Sequence, residues 1–224
     1  MQHPFPPAIL AIGRNYADHA AELKNEVPDR PMVFMKNPAS VIGNGEPIVI
    51  PNICLDPTTG GEQVDYEGEL ALIIARDCRD VAQCDALACI SGYAIANDVS
   101  ARWWQKQGSG GQFVRGKSFD TFCPISDPVP ASRIADPQSL RLTTRLNGET
   151  VQDSSTSLML FPVAVLIAEL SRSMTLLAGT VILTGTPAGV GAGRTPPRFL
   201  RQGDVVEIEI EGLGVLRNPV VEQA

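Results

Sequence analysis

The apolar segments of this chain are short and punctuated by glycine and proline. The longest, 159–168, is interrupted by Pro162 and ended by Glu169. It is about half of a membrane span. With 20 glycines and 18 prolines in 224 residues, the chain must turn often, so it reads as many short elements around one core. A length of this order suits a single domain over residues 1–224. It can bury a sizeable core without staples.

Patterning assigns most of those elements to strands. Strands are expected at 32–35, 66–75, 90–97 and 180–184. At 205–210 apolar and acidic residues alternate, with 215–221 as the partner. The clearest hairpin joins 140–146 to 149–152 through Asn147-Gly148, a pair that supplies the positive φ of a type I′ turn. Short helices are expected at 15–23, with Asn15 as cap, at 81–88, at 100–107 and from Pro162 to Arg172. Gly108-Ser-Gly-Gly111 reads as a mobile connection. No regular βαβ alternation appears, which excludes Rossmann and TIM-barrel architectures. What remains is an α+β fold, mainly β, with mixed and mostly antiparallel sheets.

The formal charge is −7. Nucleic acid and anionic membrane both require a basic face, so neither is expected as a partner. An anionic small substrate stays open, because a local cation can override net charge. Five cysteines without a CxxC pair read as reduced thiols of a cytoplasmic protein. The first residues lack a basic region followed by an apolar core, so no secretory signal is expected.

Three constellations carry candidate chemistry. Asp65-Tyr66-Glu67-Gly68-Glu69 opens a strand, and side chains two apart share a face, so Glu67 and Glu69 point together with Asp65 one step further on. Two such acids cannot both be buried and ionised without a cation. Asp98, in the polar turn after the next strand, offers a third carboxylate. An oxygen-only set favours Mg²⁺, Mn²⁺ or Ca²⁺ over zinc. A solvated strand end and a helix cap would present the same residues. His19 is followed at i+3 by Glu22, which would fix its tautomer as a general base requires, unless the pair is an exposed ion pair. His3, in the terminal tail, is expected to be inert. Thr184-Gly-Thr-Pro-Ala-Gly-Val-Gly191 follows a strand and could approach an anion or simply turn. It is neither a P-loop nor a dinucleotide fingerprint, and no serine-hydrolase elbow occurs.

The order of these segments resembles the fumarylacetoacetate hydrolase superfamily, in particular its small members similar to acylpyruvate hydrolases. The matching stretches are GRNYADHAAE (13–22), DYEGELA (65–71), GYAIANDVSAR (92–102), GKSFDTFCP (116–124), NGETVQDSST (147–156) and LTGTPAGVG (183–191). The resemblance implies a β-sandwich roll of mixed sheets with short helices. It implies Mg²⁺ or Mn²⁺ on Glu67, Glu69 and Asp98. Arg102, Gln105, Lys117 and Thr186 would line the substrate pocket, with Arg14 at the head of the histidine helix. His19 and Glu22 would act from a lid spanning about 14–30. The sequences at Trp103-Trp104 and at the Gly108–Gly111 insert follow no family pattern, so they leave the distal pocket wall open. The implied reaction is hydrolysis of the C–C bond of an acylpyruvate, with His19 activating water and Lys117 and Gln105 stabilising the oxyanion. Oxaloacetate decarboxylation and keto–enol tautomerisation or isomerisation are the alternatives on the same site, and a catalytically silent binding or assembly protein is a remote one. A homodimer is expected.

Overall fold

Strand alternation decides which side chains enter which layer. The computed structural model describes residues 5–224, so His3 lies outside the described residues. Strands β1 (Ile9–Gly13), β2 (Met32–Lys36), β3 (Val41–Ile42), β4 (Ile48–Ile50) and β5 (Val64–Asp65) come first. Then follow β6 (Gly68–Ile74), β7 (Ile90–Asn97), β8 (Ser100–Ala101), β9 (Cys123–Pro124) and β10 (Val129–Pro130). The last five are β11 (Arg141–Leu146), β12 (Glu149–Ser155), β13 (Val181–Leu183), β14 (Val205–Ile210) and β15 (Gly214–Glu222). The helices are α1 (Ala17–Glu22), α2 (Arg102–Gln105), α3 (Phe113–Lys117) and α4 (Val163–Ser171).

Six strands form one sheet in the order β10-β7-β6-β13-β1-β2, and five form a second in the order β12-β11-β14-β15-β4. Within these sheets only β1–β13 and β4–β15 run parallel. The fold is therefore α+β, mainly strands in mixed sheets, as expected. Along β6, Leu70, Leu72 and Ile74 enter the core shared with the second sheet, while Ala71 and Ile73 pack on the opposite face. Both faces are covered, which is why this stretch reads as a continuous apolar run. Helix α4 buries Val163, Leu166, Ile167 and Leu170, an i, i+3, i+4, i+7 stripe. No helix among the described residues is long and apolar enough to cross a membrane.

Local expectations fare unevenly. The Asn147-Gly148 turn has φ of 54° and 83° and joins β11 to β12 as the sequence requires. Asn15 does not cap α1. Its side chain is buried and donates to Thr184 O (2.7 Å) and Phe161 O (3.2 Å), so Tyr16 takes the cap position. The helix expected at 81–88 is a 3₁₀ segment over Gln83–Cys89, whose buried residues Ala86 and Cys89 are three apart, the spacing a 3₁₀ turn eclipses. At 100–107 only Arg102–Gln105 is α-helical, because Ser100 and Ala101 pair with β5. The connection at 108–111 forms an ordered turn in which a Cβ on Gly108 would collide with the Trp103 ring.

The pairing also places the site. Glu69 lies opposite Ala96, and Lys36 opposite Ile9. Ala96 and Ile9 belong to the face that carries the small second core. Both charged residues therefore lie on that face, where they converge on Asp98.

Candidate active site

Glu67 sits in the break between β5 and β6, and Glu69 is the second residue of β6. Gly68 pairs with Asn97, which brings Asp98 alongside. The Asp98 N–H donates to Glu67 O at 2.9 Å, and the Glu67 N–H donates to Asn97 Oδ1 at 2.9 Å. Carboxylate oxygens of Glu67, Glu69 and Asp98 lie within 4.8 Å of one another. None of the three residues is more than 4% exposed, so they do not form a solvated strand end.

Buried acids this close require compensation. Lys117 Nζ reaches Glu67 Oε2 and Asp98 Oδ2, each at 2.6 Å. Lys36 Nζ lies 2.6 Å from Asp98 Oδ1 and donates to Val99 O at 3.3 Å. Arg102 pairs with Glu67 Oε1 and Asp65 Oδ2, both at 2.7 Å. Although burial opposes it, Lys117 and Arg102 hold the Glu67 carboxyl below the usual range. Glu69 has no cationic partner among the described residues. It accepts only from the Gly185 N–H at 2.7 Å. Burial, with Asp98 and Glu67 beside it, pushes its carboxyl well above the usual range. Four buried acids (Asp65, Glu67, Glu69 and Asp98) thus meet three cations, and Glu69 is the one with no cation beside it. An oxygen-only donor set with one acid lacking a cationic partner fits a hard divalent ion, and Glu67, Glu69 and Asp98 are the residues that could hold it.

Asp65 does not extend this set. Its strand ends before β6 begins, and its carboxylate turns to Arg102 and to the N–H groups of Gly191 (2.7 Å) and Ala192 (2.9 Å). Lys36 escaped sequence reasoning. A lysine closing the short apolar strand Met-Val-Phe-Met reads as a solvated end, yet it is 1% exposed.

His19 and Glu22 meet as their spacing predicts, with Nδ1 and Oε1 at 2.8 Å. Glu22 accepting at Nδ1 leaves Nε2 as the ring's basic nitrogen. The pair is not an exposed ion pair, since His19 is 6% exposed. The second oxygen of Glu22 accepts from Gly189 N at 2.9 Å, so the glycine loop orients the carboxylate that orients the imidazole. Gly189 has φ of 109°, and a Cβ there would collide with Val151 O.

A cavity of about 80 Å³ joins these groups. Arg14, His19, Glu67, Glu69, Arg102, Gln105, Lys117 and Thr186 line it. Glu22 lies behind His19, and Asp98 lies behind Lys117. Every candidate residue is therefore at the cavity or one contact away. Two of the lining residues also have partners within the protein. The Lys117 ammonium is bound between Glu67 and Asp98, and the Thr186 hydroxyl donates to Gly68 O at 2.9 Å. Met32, Phe34 and Phe113 supply an apolar wall, with the two phenylalanine rings edge to face. Trp104 packs instead on Phe119. Lys106 also lines the cavity. Neither Lys106 nor Arg14 has an acidic partner among the described residues. Burial and the nearby Arg102 and Arg14 lower the Lys106 pKa, the signature of cations gathered without an anion.

Comparison with known proteins gives a consistent picture. Residues 8–221 match the family described as fumarylacetoacetate (FAA) hydrolase, C-terminal. The chain is 44% identical to the mitochondrial oxaloacetate tautomerase fahd2 of Xenopus laevis over 96% of its own length, and it spans 66% of that protein. A putative HpcE protein from Mycobacterium smegmatis superposes with a TM-score of 0.90 at 38% identity, covering 98% of this chain and 76% of that one. A 5-carboxymethyl-2-hydroxymuconate delta-isomerase from the same organism gives 0.83 at 41% identity, covering 98% and 80%.

Proposed function

Since this chain belongs to the fumarylacetoacetate hydrolase family, we propose that it is a divalent-metal-dependent enzyme that moves a proton at the carbon beside the keto group of a short 2-oxo dicarboxylic acid, with oxaloacetate keto–enol tautomerisation as its main activity. The observation that carries this reading is the shared cavity. A carboxylate-oriented imidazole and a buried acidic triad face one small space. A water needs roughly 10–15 Å³ of such volume, so about 80 Å³ suits a four-carbon acid better than one bearing a long acyl chain. Relatives that carry tautomerase and isomerase names support the same choice.

A bound Mg²⁺ or Mn²⁺ on Glu67, Glu69 and Asp98 would polarise the keto oxygen and stabilise enolate charge. His19 Nε2 takes the proton from the carbon next to the keto group while the keto oxygen gains one from water, giving the enol; in the reverse direction the imidazolium protonates that carbon as the enol O–H is lost to water, with Glu22 holding the ring and stabilising its protonated form. Lys117 bridges Glu67 and Asp98 and holds both in place. Arg14 and Lys106 receive the second carboxylate, and Met32, Phe34 and Phe113 exclude water on the far side. Acylpyruvate hydrolysis would use the same base on a water molecule, but needs space for both that water and the acyl group. The test is a panel with Mg²⁺: enol-to-keto conversion and CO₂ release from oxaloacetate, and pyruvate release from acetylpyruvate. Fastest turnover is expected for the enol–keto conversion. Faster acetylpyruvate cleavage would restore the hydrolase reading.

Lys106→Met is expected to raise KM for oxaloacetate about fivefold with kcat unchanged, because a partly solvated charge pair contributes about 1 kcal/mol. Steady-state kinetics against a 2-oxo monocarboxylic acid checks this, since that KM should not move. We also propose that α1 opens to admit substrate. Hydrogen exchange should then slow across 15–29 on adding oxalate with Mg²⁺, whereas equal protection with and without oxalate would count against a lid. The expected homodimer is proposed on the resemblance alone, and light scattering tests it.

A further inference from the structure

The hairpin β11–β12 contributes no group to the cavity, yet it buries a glutamine beside it. The β11–β12 register jumps from Thr144↔Gln152 to Arg145↔Thr150, so Val151 is the extra residue of a bulge. Without the bulge, Val151 would lie opposite Thr144 and Gln152 would face the other way. With it, Gln152 joins Thr144 on the buried face and is 1% exposed. All its hydrogen-bonding atoms are then spent. Gln152 Oε1 accepts from the Gly68 N–H at 3.0 Å. Nε2 donates to Thr186 Oγ1 at 2.8 Å and to Pro187 O at 2.9 Å. The Thr186 hydroxyl closes the circuit on Gly68 O at 2.9 Å. Gly68 has no room for a side chain, since a Cβ would collide with Thr144 Oγ1.

Gly68 is the residue between Glu67 and Glu69. Both its backbone groups are thus fixed, the N–H from the second sheet and the carbonyl from Thr186 in the loop that, three residues on, anchors Glu22 through Gly189 N. We propose that Gln152 is a positioning residue: its carboxamide ties the peptide between the two glutamates to the Thr186–Gly189 loop, setting their spacing for the metal and the orientation of Glu22 together. This rests on the reading of Glu67, Glu69 and Asp98 as metal ligands. Outer partners of ligand groups typically change metal affinity by about 10- to 100-fold.

The test is calorimetric titration of the metal-free chain with Mn²⁺, alongside thermal unfolding. Gln152→Met keeps the length of the side chain and removes every hydrogen bond. It should weaken Mn²⁺ binding at least tenfold. Val151→Ala, in the same bulge, should lower Tm while leaving Mn²⁺ affinity within twofold of wild type, which separates positioning from general loosening. If Gln152→Met does not fold, Thr186→Val opens the same circuit from the other side and should weaken Mn²⁺ at least tenfold, with Thr186→Ser restoring it. A Gln152→Met chain of lower Tm and unchanged Mn²⁺ affinity would show a purely structural glutamine and overturn the proposal. Wild-type chain that binds no Mn²⁺ would overturn the metal reading, and this inference with it.

Discussion

His19→Ala should slow enol-to-keto conversion of oxaloacetate by about 10²- to 10⁴-fold at saturating Mg²⁺, the usual worth of a positioned base. The loss should fall on kcat, because on the proposed reading Arg14 and Lys106, which line the cavity, hold the substrate carboxylate without the imidazole. Mn²⁺ affinity should stay close to wild type, since His19 is hydrogen-bonded to Glu22 and to no carboxylate of the triad. Decarboxylation of oxaloacetate should fall less, because that step relies on enolate stabilisation rather than on a base. Glu22→Gln should lie between wild type and His19→Ala. It keeps a polar partner for Nδ1 but removes the charge that steadies the protonated ring. Equal losses in both reactions would mean that His19 handles a proton common to the two routes. Full retention of tautomerase activity would remove it from the mechanism.

Glu69→Gln should have the second large effect, and it has two opposite signs. Glu69 is the one acid of the buried cluster without a cationic partner, and its carboxyl is pushed up by burial and by Asp98 and Glu67. Replacing this carboxyl should leave the metal-free chain as stable as wild type or more so, because burial and the neighbouring acids make its ionised form costly and the amide has none to form. The same change should weaken Mn²⁺ binding by more than the roughly 100-fold that loss of an outer partner brings. Wild-type Tm should rise on adding Mn²⁺, since a ligand bound only by the folded chain stabilises it. Glu69→Gln should lose that rise. Thermal unfolding of the two chains, with and without Mn²⁺, checks both signs. A Glu69→Gln chain still stabilised by Mn²⁺ would place the ion elsewhere.

The parts of this site legible in the sequence are those whose geometry is local. His19 and Glu22 are one helical turn apart, and their contact follows from that spacing. Glu67 and Glu69 share a face because they flank one residue at a strand start. The hairpin at Asn147-Gly148 follows from φ values that only such a pair adopts easily. Residues whose partners lie across the fold gave no such signal. Lys36 ends an apolar strand, and nothing nearby announces that Asp98, 62 residues later, waits for it. Asp65 looks like a third member of the acidic strand, but the break before Gly68 sends it to Arg102 and the glycine loop. Asn15 has the chemistry of a helix cap, and a tertiary partner at Thr184 claims it first. Gln152 is buried only because a bulge turns it inward, and bulges follow from sheet packing rather than from composition.

The most direct measurement follows the enol absorbance of oxaloacetate after mixing with wild-type chain, first with Mg²⁺ and then with excess EDTA. Enol decay should accelerate with enzyme concentration in Mg²⁺, fall to the uncatalysed rate in EDTA, and recover when Mg²⁺ is restored. Decay that is unaffected by the enzyme in Mg²⁺, or equally fast in EDTA, would contradict metal-dependent proton transfer at this site.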